Sequence, residues 1–334
     1  MIAAVHFENF KALRSARVQL APFNLVIGPN GSGKTSLIQA LLRLRSLAAL
    51  PATHTHELKH PVAGGARIEF TFRPPFEHLR VTAACARDEL ICDTLVVAHP
   101  PGDDGERAWE KLRARLRTMR GFLFDHYAMA VPAKPAECHE LASNAGNLAA
   151  VLADWRQNFP ERLERLEAEF RRIVPEFKGL EFHRRDEEAV ELLARVNGDR
   201  VPADSLSQGT LYLLAILALA FSPEPPAVVC LEEADRGIHP RMLREVRDAL
   251  YRLSYPHEFG ETRPPVQVIT TTHSPYLLDL FRDQPEEVIL ANKHGREARF
   301  EKLSERADLR ELLGESSLGD LWYSGILGGT PDEA

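Results

Sequence analysis

Gly28-Pro29-Asn30-Gly31-Ser32-Gly33-Lys34-Thr35, followed by Ser36, is the stretch on which the fold turns. It follows the apolar run Phe23-Asn24-Leu25-Val26-Ile27 and leads into the helix-like Ser36-Leu37-Ile38-Gln39-Ala40-Leu41-Leu42. A strand, a glycine-rich turn ending in Lys-Thr, and a helix together make a phosphate-binding loop in the context it requires. Its glycines let backbone N–H groups turn inward around an anion, and the helix N-terminus adds a positive field. Lys34 is placed to reach the β- and γ-phosphates of a nucleotide, and the Thr35 hydroxyl to ligate Mg²⁺.

Three later segments extend this chemistry. Ser207 precedes the apolar segment 211–221 as a helix N-cap, with Gln208 and the Gly209 amide at the positive end of that helix. Ala227-Val228-Val229-Cys230-Leu231 reads as a buried strand ending in Glu232-Glu233, whose carboxylates suit holding a metal and polarising water. A further strand over residues 266–272 ends in His273-Ser274-Pro275, where a histidine can contact a γ-phosphate.

In this order the motifs resemble the ATP-binding-cassette ATPases of the SMC, RecF and OLD branch, and the resemblance covers nearly the whole chain. It implies that Leu206-Ser207-Gln208-Gly209 is the signature motif, Glu232-Glu233 the end of the Walker B strand and His273 the switch histidine. Glu233 would be the catalytic base, Glu232 and Thr35 the Mg²⁺ side of the site, and Asp235 a neighbour of a dimer partner. Glu8-Asn9-Phe10-Lys11-Ala12-Leu13 is similar to this branch's first hairpin. Gly146-Asn147-Leu148-Ala149-Ala150-Val151-Leu152 followed by Asn158-Phe159-Pro160 is also similar to this branch, and Gly237-Ile238-His239-Pro240 looks like its small free-standing members. The implied fold is α/β: a P-loop NTPase with an ABC-type head, a mixed sheet, an antiparallel β subdomain and an inserted helical lid. The implied ligands are ATP and Mg²⁺, and the implied assembly is a homodimer closed around ATP.

The chain departs from the family pattern in several respects. Glu232 stands where Asp is usual, and no glutamine lies between Gln39 and Gln157 to serve as the Q-loop residue, for which something near Asp125-His126 is a candidate. There is neither a Cys-x-x-Cys hook nor a long coiled-coil segment. The stretch after His273 is also too short for a nuclease domain of the OLD kind.

Bulk properties bound the possibilities. The 334 residues are 44% hydrophobic and 27% charged, the profile of a globular chain large enough for a sizeable core. No apolar run is of membrane-spanning length, no signal-peptide pattern opens the chain, and the four cysteines form no disulfide framework, so a cytoplasmic setting is expected. A net charge of −7 argues against general coating by nucleic acid while leaving room for a local basic groove.

The chain reads as three parts: residues 1–60 with the phosphate loop, 61–185 with antiparallel strands and a helical insertion, and 186–334 with the remaining motifs. Strands are expected over 67–72, 79–84 and 90–98, antiparallel because their connections are too short for crossovers. Residues 51–65 read as loop, and His54, His56, Glu57 and His60 within them read as loop residues more than as a metal site. Residues 107–124 read as one helix, with Trp109, Leu112, Leu116 and Met119 on its apolar face and Arg107, Lys111, Arg113, Arg115, Arg117 and Arg120 elsewhere. That basic surface reads first as a solvated face and second as a DNA contact.

The expected protein is a cytoplasmic ATPase that dimerises with nucleotide and acts in DNA repair, recombination or anti-phage defence, with DNA or a partner nuclease or other effector. The rival readings are a nucleotide-gated scaffold with negligible turnover and the ATPase subunit of a membrane transporter.

Overall fold

The computed structural model describes residues 1–50, 53–55, 65–85, 92–99, 101–134, 140–186, 189–294 and 297–328. The chain divides into two units, Met1–Gly121 with Pro226–Cys230 and Pro265–Ala334, and Phe122–Pro225 with Leu231–Pro264.

The first unit opens with β1 (Ile2–Phe10), β2 (Leu13–Gln19) and β3 (Phe23–Ile27), and then α1 (Lys34–Ala48). β1 and β2 form a hairpin in antiparallel register, Val5 opposite Val18 and Phe7 opposite Ala16. Short β4 (Thr53–Thr55), β5 (Arg67–Phe72), β6 (Arg80–Cys85) and β7 (Cys92–Ala98) complete a six-stranded sheet in the order β2-β1-β5-β6-β7-β4. The β5–β6 and β6–β7 pairs are antiparallel, as their short connections require. β5 alternates half-buried and buried residues, so Ile68, Phe70 and Phe72 enter the core. β4 lies within the stretch expected to be loop and pairs with β7.

The helix expected over 107–124 is instead α2 (Asp103–Arg117) followed by β8 (Arg120–Phe122). The earlier start puts Asp103, Asp104 and Glu106 in the first turn, where negative charge complements the helix dipole. The earlier end has a cause in tertiary contacts: the Thr118 hydroxyl donates to the Arg115 carbonyl and accepts from the Ala227 amide, which draws the chain into a sheet. Gly121 then lies so close to Leu42 that an added Cβ would stand 2.7 Å from its Cδ1. Trp109, Leu112, Leu116 and Met119 are buried, as their spacing predicts.

The second unit contains α3 (His126–Ala130), α4 (Leu148–Asn158), α5 (Pro160–Ile173), β9 (Phe177–Asp186), β10 (Ala189–Val196), β11 (Asp199–Pro202) and α6 (Gln208–Ala220). The three strands form their own antiparallel sheet, with β10 in the middle. Pro160 begins α5 at a position where its missing N–H costs nothing, which is why α4 and α5 break at Phe159. α6 is apolar around its whole circumference and buried from Leu211 to Ala220.

β12 (Val228–Leu231) returns to the first unit's second sheet, and α7 (Leu243–Ser254) belongs to the second unit. β13 (Gln267–Thr272), α8 (Pro275–Asp279), β14 (Val288–His294), β15 (Glu297–Lys302), α9 (Leu309–Glu315) and α10 (Leu318–Tyr323) complete the first unit. The second six-stranded sheet has the order β15-β14-β3-β13-β12-β8 and is mixed: β3 is parallel to both neighbours, and β14 is antiparallel to β15. Two fully buried amides fix its start, and one of them ties it to β1 of the first sheet. Gln267 accepts from the Ile2 amide and donates to the Ile2 and Ala21 carbonyls, and Asn24 accepts from the Ala21 amide and donates to the Ala21 and Val268 carbonyls. Buried amides satisfied in this way specify one strand arrangement, since any shift leaves them unpaired in a dry interior.

Candidate active site

In the first unit, β3 is buried along its whole length and delivers the chain to the loop Gly28-Pro29-Asn30-Gly31-Ser32-Gly33. Gly31 and Gly33 take positive φ values of 77° and 97°, backbone that L-residues with side chains rarely adopt. Gly28 is required for a different reason: an added Cβ would overlap the Ala291 carbonyl of β14. Lys34 is buried, and its ammonium donates to the carbonyls of Gly28 at 2.6 Å and Pro29 at 2.9 Å, so the charge sits inside the loop. No side chain caps α1, and the Ser32 hydroxyl is fully buried without a hydrogen-bond partner among the described residues. A positive charge, an uncapped helix start and an orphaned buried hydroxyl on one short loop fit a phosphate chain. Thr35 is exposed at the first turn of α1, and Ser36 follows it half-buried.

β13 runs parallel beside β3 with Thr272 opposite Ile27, which brings His273 level with Gly28 in register. His273 is exposed, and Ser274 caps α8 by accepting from the Leu277 amide.

The second unit holds the other motif residues. The Ser207 hydroxyl accepts from the Thr210 amide at 3.1 Å and caps α6, so Gln208 and Gly209 form its first turn. Leu231 ends β12 in a buried position, Glu232 is half-buried and Glu233 exposed. The Glu232 amide donates to the Phe122 carbonyl, extending the pairing of β12 with β8 by one residue. Glu233 adopts φ 53°, a left-handed conformation that costs a non-glycine residue about 1 kcal/mol or more. Its carboxylate lies 3.7 Å from Arg236, whose amide also donates to the Glu233 carbonyl in the following turn.

This turn and the start of α6 are in contact, a relation that sequence inspection does not reveal. A Cβ on Gly209 would stand 2.6 Å from the Gly237 carbonyl, and one on Gly237 would stand 2.7 Å from Gln208 Cδ. Gly209 is thus required by the approach of the Gly237 backbone, Gly237 by its positive φ of 66° and the packing of the Gln208 side chain, and two motifs nearly thirty residues apart share one surface.

Other predicted positions carry structural roles. Asp125 caps α3 by accepting from the Tyr127 amide. Asn147 is buried, accepting from the Ala142 amide and donating to the Glu140 carbonyl, which fixes the approach to α4. Arg113 on α2 donates to the Ala48 and Leu50 carbonyls at the end of α1, and Arg120, at the start of β8, to the Arg117 and Met119 carbonyls. Those two guanidiniums serve main-chain carbonyls rather than a free basic face. The side chains of His54, His56, Glu57 and His60 lie outside the described residues; among those described, no cluster of three or more His, Cys, Asp or Glu could hold a metal.

Comparison with known proteins finds two family models that match segments of the chain. Residues 1–72 match the family described as AAA ATPase domain, and residues 145–279 the family described as AAA domain, putative AbiEii toxin, Type IV TA system. Between them the two matches contain residues 28–35, 207–209 and 232–233, and His273. No curated protein matches the chain.

Among solved structures, an SMC head bound to the C-winged helix domain of ScpA is similar, with a TM-score of 0.61 and 14% identity over 92% of this chain and 99% of that one. The SMC head domain from Thermotoga maritima gives 0.50 and 14% over 90% and 98%. The SMC head with an extended coiled coil bound to the C-terminal domain of ScpA, from Pyrococcus furiosus, gives 0.58 and 11% over 94% and 99%. The fold is that of the SMC head, a P-loop NTPase fold. Two segments of the chain thus match models of AAA ATPase domains, on a fold shared with SMC heads. Among the described residues no helix is long and apolar enough to cross a membrane.

Proposed function

We propose that this ATPase works as a nucleotide-closed homodimer, in which ATP held by Lys34 and Thr35 of one protomer is covered by Ser207 and Gly209 of the other. The observation that supports it most is the phosphate loop itself, with Lys34 inside it, Ser32 orphaned within it and no side chain capping α1. Lys34 neutralises the β- and γ-phosphates, and the Gly31–Gly33 backbone cradles them. When bound, Mg²⁺ with ATP supplies the phosphoanhydride and a counter-charge, and Thr35 and Glu232 are the residues of a type to hold that metal. Glu233 accepts the proton of the attacking water, and His273 meets the γ-phosphate.

The output proposed is a change of dimer state passed to a partner in DNA repair, recombination or defence against mobile DNA. Two of the similar SMC heads are bound to ScpA, which favours a protein partner. Arg113 on α2 and Arg120 just beyond it, held by carbonyls, give little support to DNA contact there.

Steady-state turnover and nucleotide titration test the reading together. Glu233→Gln keeps ATP affinity and loses about a hundredfold or more in turnover, because an amide takes no proton. Lys34→Ala loses nucleotide binding altogether. Wild-type turnover in Glu233→Gln would overturn the base assignment, and wild-type affinity in Lys34→Ala the site itself.

A further inference from the structure

The hairpin of β14 and β15 flanks the phosphate loop on the side away from His273, and neither the motifs nor the family matches assign it a role. β14 runs parallel beside β3 with Leu290 opposite Ile27, which sets Ala291 beside Gly28, where their backbones leave no room for a Cβ. β15 covers the other end of the loop: a Cβ on Gly33 would meet Ala298 Cβ at 3.3 Å and Phe300 Cζ at 3.4 Å. The Ala298 amide also donates to the Ala12 carbonyl at the β1–β2 turn, which fixes the hairpin against the loop's surroundings.

The register of the hairpin decides which side chains share this face. Ala291 pairs with Phe300 and Lys293 with Ala298, and because strand side chains alternate, all four project to one face. Ala291 and Ala298 are buried against the core, and Lys293 is exposed at the open end of the same row. Directly paired residues have Cβ atoms about 5 Å apart, so Lys293 is one cross-strand step from the residue that touches Gly33. A four-carbon stem ending in a mobile ammonium spans that distance to an anion at the start of α1.

We propose that Lys293 binds the α-phosphate and ribose end of the nucleotide, acting as a second cation of the site beside Lys34. The inference rests on the ATP-site reading above. β13, carrying His273, and β14 lie on opposite sides of β3. A nucleotide whose γ-phosphate meets the His273 side turns its α-phosphate and nucleoside toward the hairpin. Lys293 therefore contributes equally to ATP and ADP, while His273 distinguishes them.

Calorimetric titration of ATP and ADP into the wild type, Lys293→Met, Lys293→Arg and His273→Ala tests this. Lys293→Met weakens both nucleotides by the same factor, about tenfold for one charge-assisted contact. It also raises KM with kcat unchanged at saturation, leaves the melting temperature unaltered, and is rescued by Lys293→Arg. Unchanged affinity for both nucleotides, a loss confined to ATP, or a loss that Arg fails to rescue would each overturn the proposal. Wild-type affinity in Lys34→Ala would instead remove the site on which it rests, so the two failures are distinct.

Discussion

Glycine is required at Gly209 for reasons that a motif reading does not supply. The atom an added methyl would meet is the Gly237 carbonyl, part of a backbone whose φ of 66° itself favours glycine, so neither partner can yield by a side-chain rotation. Gly209→Ala is therefore expected to lower stability by about 1–3 kcal/mol, the usual range for forced overpacking. Because the turn carrying Glu233 must move to make room, turnover falls further than the affinity for nucleotide. Gly314 in α9 is the control, since a Cβ there meets nothing within 4 Å. Gly314→Ala is neutral or adds up to about 1 kcal/mol, as expected when a helical glycine gains a methyl without a clash. Urea midpoints of the two variants separate these outcomes; equal midpoints would remove the Gly209–Gly237 contact from the account.

Elements in the second unit depend on a buried carboxylate. Glu261 accepts from Arg252 at the end of α7 at 2.9 Å and from Arg263 at 2.6 Å, and Arg252 also lies over the rings of Phe221 and Phe259. Burial alone would raise the carboxyl's pKa, but the two arginine hydrogen bonds outweigh it and hold the group below its ordinary value. A depressed carboxyl contributes stability above its unfolded-state pKa, and that contribution is lost as pH falls through the folded one. Glu261→Gln accordingly costs about 2–4 kcal/mol at neutral pH by leaving two guanidiniums without their charge partner. The gap between the two urea midpoints narrows as pH falls below about 4, the ordinary carboxylate range. A gap constant down to pH 3 would mean that the glutamate acts through shape alone.

At this scale the sequence is legible where periodicity and motif agree. β3, β5, β12, β13 and α5 announce themselves by apolar runs, alternation or a proline start, and Ser207 caps α6 where its position predicts. β9 and β15 escape a sequence reading because charged residues interrupt them. β15, Glu-Ala-Arg-Phe-Glu-Lys, buries only Ala298 and half-buries Phe300 and Lys302, too weak an apolar signal to stand out. The break after Arg117 escapes as well, since it is imposed by Ala227 and Leu42, residues distant in sequence. The part of the site contained in contiguous motifs was readable; the contact between Gly209 and Gly237 was not, because two glycines carry no pattern that pairs them.

For the molecule as a whole, the proposed dimer makes a prediction that no single chain could satisfy. Lys34→Ala spoils a protomer's phosphate loop and spares its signature, while Ser207→Arg removes the α6 cap and blocks the signature with a bulky cation. Each variant alone builds dimers with two broken sites. Mixed dimers hold one doubly broken site and one intact site, so mixing two inactive proteins restores up to about a quarter of wild-type ATPase activity, less if the sites are strongly coupled. No recovery, with subunit exchange shown by a labelled protomer, would point to a site completed within one chain.

The buried amides of Asn24 and Gln267 also set a clock on biosynthesis. The Asn24 side chain waits for the Val268 carbonyl, 244 residues later, and Ile2 waits for Gln267, 265 residues later. At about 5–20 residues per second, the first strands leave the ribosome roughly 12–50 s before the partners that satisfy them are made. During that interval β3 lacks both of its sheet neighbours, and its apolar residues depend on chaperones or transient collapse for cover. The phosphate loop is synthesised long before the strands that close the sheet holding it.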